Sequence, residues 1–146
     1  MPEKETLERA ARDKAEGKAP STQAGEFVRE EIEHIREGKH GARSTKQAIA
    51  IGLSKARRAG VELPPPKTGS KSTRKQAARE LRKGRSARKA TKSTKRSRAT
   101  LKALKQEGHS AASTRALSRQ AHKAAAKRSA AARSRSAKKA AATRKK

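Results

Sequence analysis

STQAGEFVREEIEHIREGKHGARSTKQAIAIGLSKARRAGVELPPP, residues 21–66, holds nine of the fourteen Phe, Leu, Ile and Val residues in the chain. Val28, Ile32 and Ile35 share one helical face, with Phe27 beside them. Ile49, Leu53 and Ala56 share a face of a second helix, and Val61 and Leu63 follow it. Gly38-Lys39-His40-Gly41 between them lets the two faces meet, and Ser44 with Gln47 has capping-box spacing. The segment predicts a helical hairpin. Burying so few large side chains falls short of the entropy cost of ordering the segment. A second copy, pairing as a homodimer through residues 21–63, or another partner is therefore expected to supply the missing burial.

Working outward, Pro64-Pro65-Pro66 stops any helix before it and reads as a stiff spacer. Charge changes at this point. Residues 1–66 carry 13 basic and 11 acidic residues, whereas residues 67–146 carry 28 basic and only Glu80 and Glu107 as acids. The chain totals +28 over 146 residues, so it repels itself when compact and is drawn to polyanions, nucleic acid first. Scarce large apolar residues and high net charge favour disorder. The fold class expected is mostly α. A charged helix occupies 1–20, the hairpin of 21–63 is the only core, and 64–70 form a Pro/Gly linker. Residues 71–146 form a Lys/Arg/Ala/Ser-rich nucleic-acid-binding tail, extended and largely disordered or loosely helical.

Gly17, Gly38, Gly60, Gly84 and Gly108 recur every 21 to 24 residues, each after a helix-forming stretch. They read as helix stops, with starts at Ser21 or Thr22, Ser44, Ser72 or Thr73, and Ser110. Thr73 with Gln76 repeats the capping-box spacing. Cysteine is absent, so disulfides and thiolate metal sites are excluded. The N-terminus lacks an apolar signal core, and the longest apolar run, Ala48 to Leu53, is too short to span a bilayer. The location expected is cytoplasmic and nucleoid-associated, with no membrane partner.

Arg43, Lys46, Ser54 and Arg57 fall near one face of the second hairpin helix, flanked by Arg58. A Ser-capped N-terminus beside Arg43 and Lys46 offers N–H groups and cations to a phosphate. A base-reading helix–turn–helix is disfavoured by the long joint and by a helix whose only amide side chain is Gln47. Glu26, Glu30, Glu33 and Glu37 make an acidic stripe on the first helix. That stripe reads as a solvated face laced by Arg29 and Arg36, or as a surface for a basic partner. His34, His40, His109 and His122 are scattered and read as exposed, so no metal is expected. Lys67-Thr68-Gly69 and Ser72-x-x-Lys75 echo fragments of penicillin-recognising enzymes in the wrong order, within a low-complexity linker. No catalytic residue, cofactor or small-molecule substrate is assigned, and the chain is read as non-enzymatic.

The run APSTQAGEFVREEIEHIREGKHGARSTKQAIAIGLSKARRAGVELPPPK, and later SRATLKALKQEGHSAASTRALSRQA, resemble a bacterial family of uncharacterised proteins with a shared domain of unknown function. Some members carry the label plasmid stabilization protein, and the resemblance implies a role in DNA maintenance. AHKAAAKRSAAARSRSAKKAAATRKK resembles the Lys-, Ala- and Ser-rich tails of linker histones and their bacterial analogues. The function expected is sequence-tolerant binding to duplex DNA by phosphate neutralisation. The contacts would be Arg43, Lys46, Arg57, Arg58, Lys71, Arg74, Lys75, Arg85, Arg88, Lys89, Lys92, Lys95, Arg96, Lys138, Lys139, Arg144 and Lys145. RNA or ribosome association shares these electrostatics, and a protein-interaction module in plasmid stabilization is the reading from another class.

Overall fold

A computed structural model describes residues 1–86 and 93–144. Its order is α1 (Lys4–Ala15), α2 (Pro20–Arg36), α3 (Thr45–Arg58), α4 (Lys71–Arg85), α5 (Thr94–Lys105), a 3-10 turn (Ser110–Ala112), α6 (Thr114–Ala126) and α7 (Ala130–Arg144). Helix α3 meets its neighbours through its smallest residues. Ala48, Gly52 and Ala56, four apart, are buried, whereas Ile49, Ile51 and Leu53 are only partly covered. A Cβ at Gly52 would stand 2.6 Å from the Cα of Val28, so the backbones of α2 and α3 touch there. The contact ridge is thus turned away from the bulky side chains towards Ala and Gly. Close backbone approach brings many atoms into dispersion contact at once.

Two apolar clusters lie along α2. Ala24 and Phe27 pack with Ala10 of α1, Ala56 of α3 and Val61, flanked by Leu53 and Leu63. Ile32 and Ile35 pack with Ala42, Ala48, Ala111 and Ala112, flanked by Val28 and Leu117. The second cluster overturns the expectation of a core confined to 21–63 followed by a disordered or loosely helical tail. The tail is helical through nearly all its described length, and residues 111, 112 and 117 complete the core.

The physical reasons for this correction are local and tertiary. Alanine is the best helix former, and each later helix begins at a serine that caps it. Ser70, Ser93, Ser113 and Ser129 accept hydrogen bonds from the backbone N–H groups of Thr73, Arg96, Ala116 and Ala132, as Ser44 does from Gln47. Polar ties then fix the tail to the hairpin. The N–H groups of Gly41 and Ala42 donate to the carbonyls of Leu104 (2.9 Å) and Gly108 (3.1 Å). Thr45 Oγ1 donates to the Ala111 carbonyl at 2.7 Å, and Arg36 Nε to the Ala112 carbonyl at 2.9 Å.

Nor does the proline run separate a folded part from a free one. Beyond it, α4 returns to pack on α3 with Ala77 and Glu80 buried. A Cβ at Gly84 would fall 1.9 Å from the Arg57 carbonyl oxygen. Gly84 is therefore a contact point inside α4, not a stop, whereas Gly17, Gly38 and Gly60 follow α1, α2 and α3 with positive φ. The true caps also differ from the expected ones. Ser70 caps α4 in place of Ser72 or Thr73, and Ala19 and Pro20 open α2 in place of Ser21 or Thr22.

Two glycines of α2 and α3 make a paired test. Nothing lies within 4 Å of a Cβ at Gly25, so Gly25→Ala should raise stability by about 0.5–1 kcal/mol through helix propensity. Gly52→Ala should lower it by about 1–3 kcal/mol, because the backbones must part. Denaturant unfolding followed by far-UV circular dichroism measures both; equal effects would mean that α2 and α3 do not touch at Gly52.

Candidate nucleic-acid interface

The acidic residues of the chain are almost all spent internally. Every Asp and Glu except Glu107 lies within 3.7 Å of a Lys, Arg or His nitrogen. The Lys and Arg residues in these pairs lie at or before Arg85. Among the described residues, no cation from Lys95 to Arg144 meets a carboxylate. The expected acidic stripe on α2 is a solvated face only at Glu33 and Glu37. Glu30 is buried against α1, accepting from the Glu3 N–H at 3.0 Å with Lys55 Nζ at 3.3 Å, and Arg9 Nε holds Glu26 at 2.6 Å. Glu33 does pair with Arg29, but Arg36 turns to the Ala112 carbonyl.

Glu80 is the tie between α3 and α4. Its Oε1 accepts from Ser54 Oγ at 2.6 Å, Gln76 Nε2 at 2.9 Å and Arg58 Nη2 at 3.1 Å. Burial pushes its carboxyl pKa up, but the hydrogen bonds from Ser54, Gln76 and Arg58 outweigh this and hold it below the ordinary value. Glu30 behaves likewise: burial raises it, and the Glu3 N–H, Thr6 and Lys55 bring it down on balance.

The structure sorts the expected phosphate contacts. Arg43 and Lys46 are exposed at the start of α3, but Arg57 is buried and donates to the Leu63 carbonyl at 3.2 Å. Arg58 is held by Glu80, and Arg85 by Glu62 at 3.3 Å. Of these three only Arg57 is drawn into the fold; Arg58 and Arg85 remain more than half exposed beside their carboxylates. Lys71, Arg74 and Lys75 are exposed on the first turns of α4, Lys95 and Arg96 on α5, and Lys138, Lys139 and Arg144 on α7. Arg88, Lys89, Lys92 and Lys145 lie outside the described residues.

Several further cations emerge once helix limits are known. Lys95, Arg98, Lys102 and Lys105, at i, i+3, i+7 and i+10, form one stripe on α5. All are exposed, and half-exposed Leu101 lies beside them. Arg115 and Arg119 stand one turn apart on α6. On α7, Arg133, Arg135, Lys138, Lys139 and Arg144 point around the whole circumference, and no residue of that helix is buried. The capping serine at Ser93 was the missing signal, since it opens a single helix that spans the whole stripe.

The histidines also depart from expectation. His34 and His40, read as exposed, are largely covered and come together with Glu31 at the end of α2, whereas His109 and His122 are exposed.

Acid should expose the role of Glu80 and Glu30. Their folded-state pKa values are depressed, so their stabilisation is present above the ordinary carboxylate pKa and is lost as pH falls through the folded values. Glu80→Gln should cost about 1–3 kcal/mol at neutral pH. It should also flatten the fall of stability below about pH 4.5, as read by urea unfolding across a pH series. An unchanged acid limb would remove Glu80 from the account.

Among the described residues no helix is long and apolar enough to cross a membrane. Comparison with curated proteins and with solved structures gave no match. Residues 14–68, from the last turn of α1 to just past the proline run, match the model of a family of unknown function, DUF6496; the match carries neither a plasmid role nor a histone likeness, and the cationic helices α4 to α7 lie outside it.

Proposed function

We propose that the protein binds nucleic acid, duplex DNA foremost, through phosphates and without reading bases. The observation that carries this reading is the separation of its charges. Carboxylates are neutralised inside the N-terminal bundle, and the cations of α5, α6 and α7 are left without them. Such cations release condensed counterions from DNA, which gives fast, tight and salt-sensitive association. The α5 stripe presents four charges along one line, and α7 presents cations in all directions among small alanines. Phosphate contacts of this type position a protein without specifying sequence. Aromatic residues are absent after Phe27, which leaves no stacking platform in these helices. A place in DNA maintenance, on a plasmid or the nucleoid, is the role this chemistry suits.

Because residues 111, 112 and 117 belong to the core, the test uses the full chain. Binding to an arbitrary duplex should weaken steeply between roughly 50 and 200 mM salt, with a slope corresponding to ~5 or more phosphates. Replacing Arg98, Lys102 and Lys105 with Gln should reduce that slope by up to about 3 and leave helix content unchanged. A flat salt response would defeat the reading, and preference for structured RNA in competition would reassign the ligand.

A further inference from the structure

We infer that Glu31, His34 and His40 form a binding site for a divalent transition-metal ion, with Glu3 as its outer partner. Glu31 and His34 stand three apart on the last turns of α2, a spacing that puts both side chains on one face. Gly38, at φ +75°, reverses the chain immediately beyond and returns His40 over the helix end. One ligand atom from each of the three residues then lies within 4.8 Å of the others. The two imidazole rings meet edge to face, with centroids 6.2 Å apart.

The hydrogen bonds around the rings fix which nitrogens are available. A carbonyl or carboxylate oxygen can only accept, so a nitrogen hydrogen-bonded to one carries a proton. His40 Nδ1 faces the Gly41 carbonyl at 3.1 Å, which leaves Nε2 for a ligand. His34 Nε2 faces Glu3 Oε1 at 2.8 Å, which leaves Nδ1. Carboxylate and carbonyl partners of this kind orient metal-bound histidines and raise their basicity.

A second, independent observation is the state of Glu31. Its side chain is 1% exposed, and neither carboxylate oxygen has a hydrogen-bond partner. Lys55 Nζ stands 2.6 Å from Oε2 and His40 Nε2 stands 3.3 Å from Oε1, both without hydrogen-bond geometry. Lys55 is shared with Glu30 at 3.3 Å. One ammonium therefore serves two buried carboxylates, and Oε1 of Glu31 faces a nitrogen lone pair unless a cation stands between them. A proton on His40 Nε2 is one such cation; a metal ion is the other, and it engages His34 as well. Two imidazoles and one carboxylate suit zinc, cobalt, nickel or iron(II) better than calcium or magnesium, which prefer oxygen donors. Bonds of about 2.0–2.1 Å in tetrahedral geometry place donors about 3.4 Å apart, so the three donors, now within 4.8 Å, must draw together on binding. Glu3 can stay on His34 or move inward as a fourth ligand.

The site would act as a staple. Gly41 and Ala42, which hold the carbonyls of Leu104 and Gly108, directly follow His40. A metal on His40 would fix the loop on which the cationic helices dock. This inference does not depend on the nucleic-acid reading.

Cobalt(II) is the probe, added to full-length protein previously stripped with a chelator. One equivalent should bind with d–d absorption, release protons, and raise the unfolding midpoint by roughly 5–10 °C at a hundredfold excess over Kd. His34→Gln and His40→Gln should each abolish the absorption, and Glu3→Gln should weaken binding by roughly 10–100-fold. His122→Gln, on exposed α6, should leave all three readouts unchanged. If His40→Gln fails to fold, the partly exposed His34 supplies the decisive variant. Absence of saturable one-to-one binding, or binding undiminished in folded His34→Gln, overturns the proposal and leaves a buried Glu31–His40–Lys55 ion pair.

Discussion

The contact between Gly52 and the backbone of Val28 is the constraint on which the structure rests. A chain with so few large side chains cannot fill a wide space between helices, so it removes the space. The same solution recurs where α4 crosses α3 at Gly84 against the Arg57 carbonyl. It recurs again where the loop after α2 meets Glu107, with a Cβ at Gly41 falling 1.9 Å from that carbonyl. At these points hydrogen bonding supplements packing, since close backbones bring N–H and carbonyl groups within reach of one another and of short side chains such as Thr45 and Ser54. Alanine is the apolar residue that tolerates such spacing, which is why Ala24, Ala48, Ala56, Ala77, Ala111 and Ala112 are buried while Leu101 is not.

Close packing of this kind imposes an electrostatic order. Glu30, Glu31 and Glu80 are drawn into helix interfaces that have little apolar bulk to exclude them, and each takes Lys55 or Arg58 with it. A buried charge is tolerated only with a partner, so the N-terminal bundle ends nearly neutral. The positive excess falls on α4, which packs on α3 with its cations facing outward at Lys71, Arg74 and Lys75, and on α5 to α7, which bury no residue. Segregation of charge is thus a consequence of how the core is built, and the core's scarcity of bulk is what makes polar ties necessary.

The sequence revealed the helical character of residues 21–63 and the apolar faces of Phe27, Ile32 and Ile35, because bulky residues at helical spacing announce themselves. It did not reveal the face of α3, where the signal is carried by Ala48, Gly52 and Ala56; these residues look the same whether they pack closely or stand in water. The tail misled for a related reason. Low bulk and high charge argue for disorder when a chain is judged by what it can bury. Four serine caps and the carbonyls of residues 104, 108, 111 and 112 settle the matter through hydrogen bonds that composition does not display. Of the candidate interface, the sign and location of the charge were legible. Which cations are free was not, since Arg57, Arg58 and Arg85 differ from their neighbours only in having Leu63, Glu80 and Glu62 nearby.

How the cationic helices are held follows from what they lack. Neither α5 nor α7 buries a residue, and α6 is attached through Leu117 and the turn before it. Their tie to the bundle is concentrated in the loop from Gly38 to Arg43 and in the 3-10 turn. The Gly41 N–H adds a tie to the Leu104 carbonyl in the last turn of α5, which also accepts from the Glu107 N–H, and Arg36 and Thr45 hold the turn that leads into α6. Isolated helices of twelve to fifteen residues are marginal in water even when rich in alanine, and repulsion among their cations weakens them further. A polyanion bound as proposed would reverse that term by neutralising the cations, and so would stabilise these helices. On the proposed reading, the loop would then set where on the bundle a bound polyanion lies. A single eight-residue joint between α2 and α3 therefore couples the packing of the core to the placement of the charge.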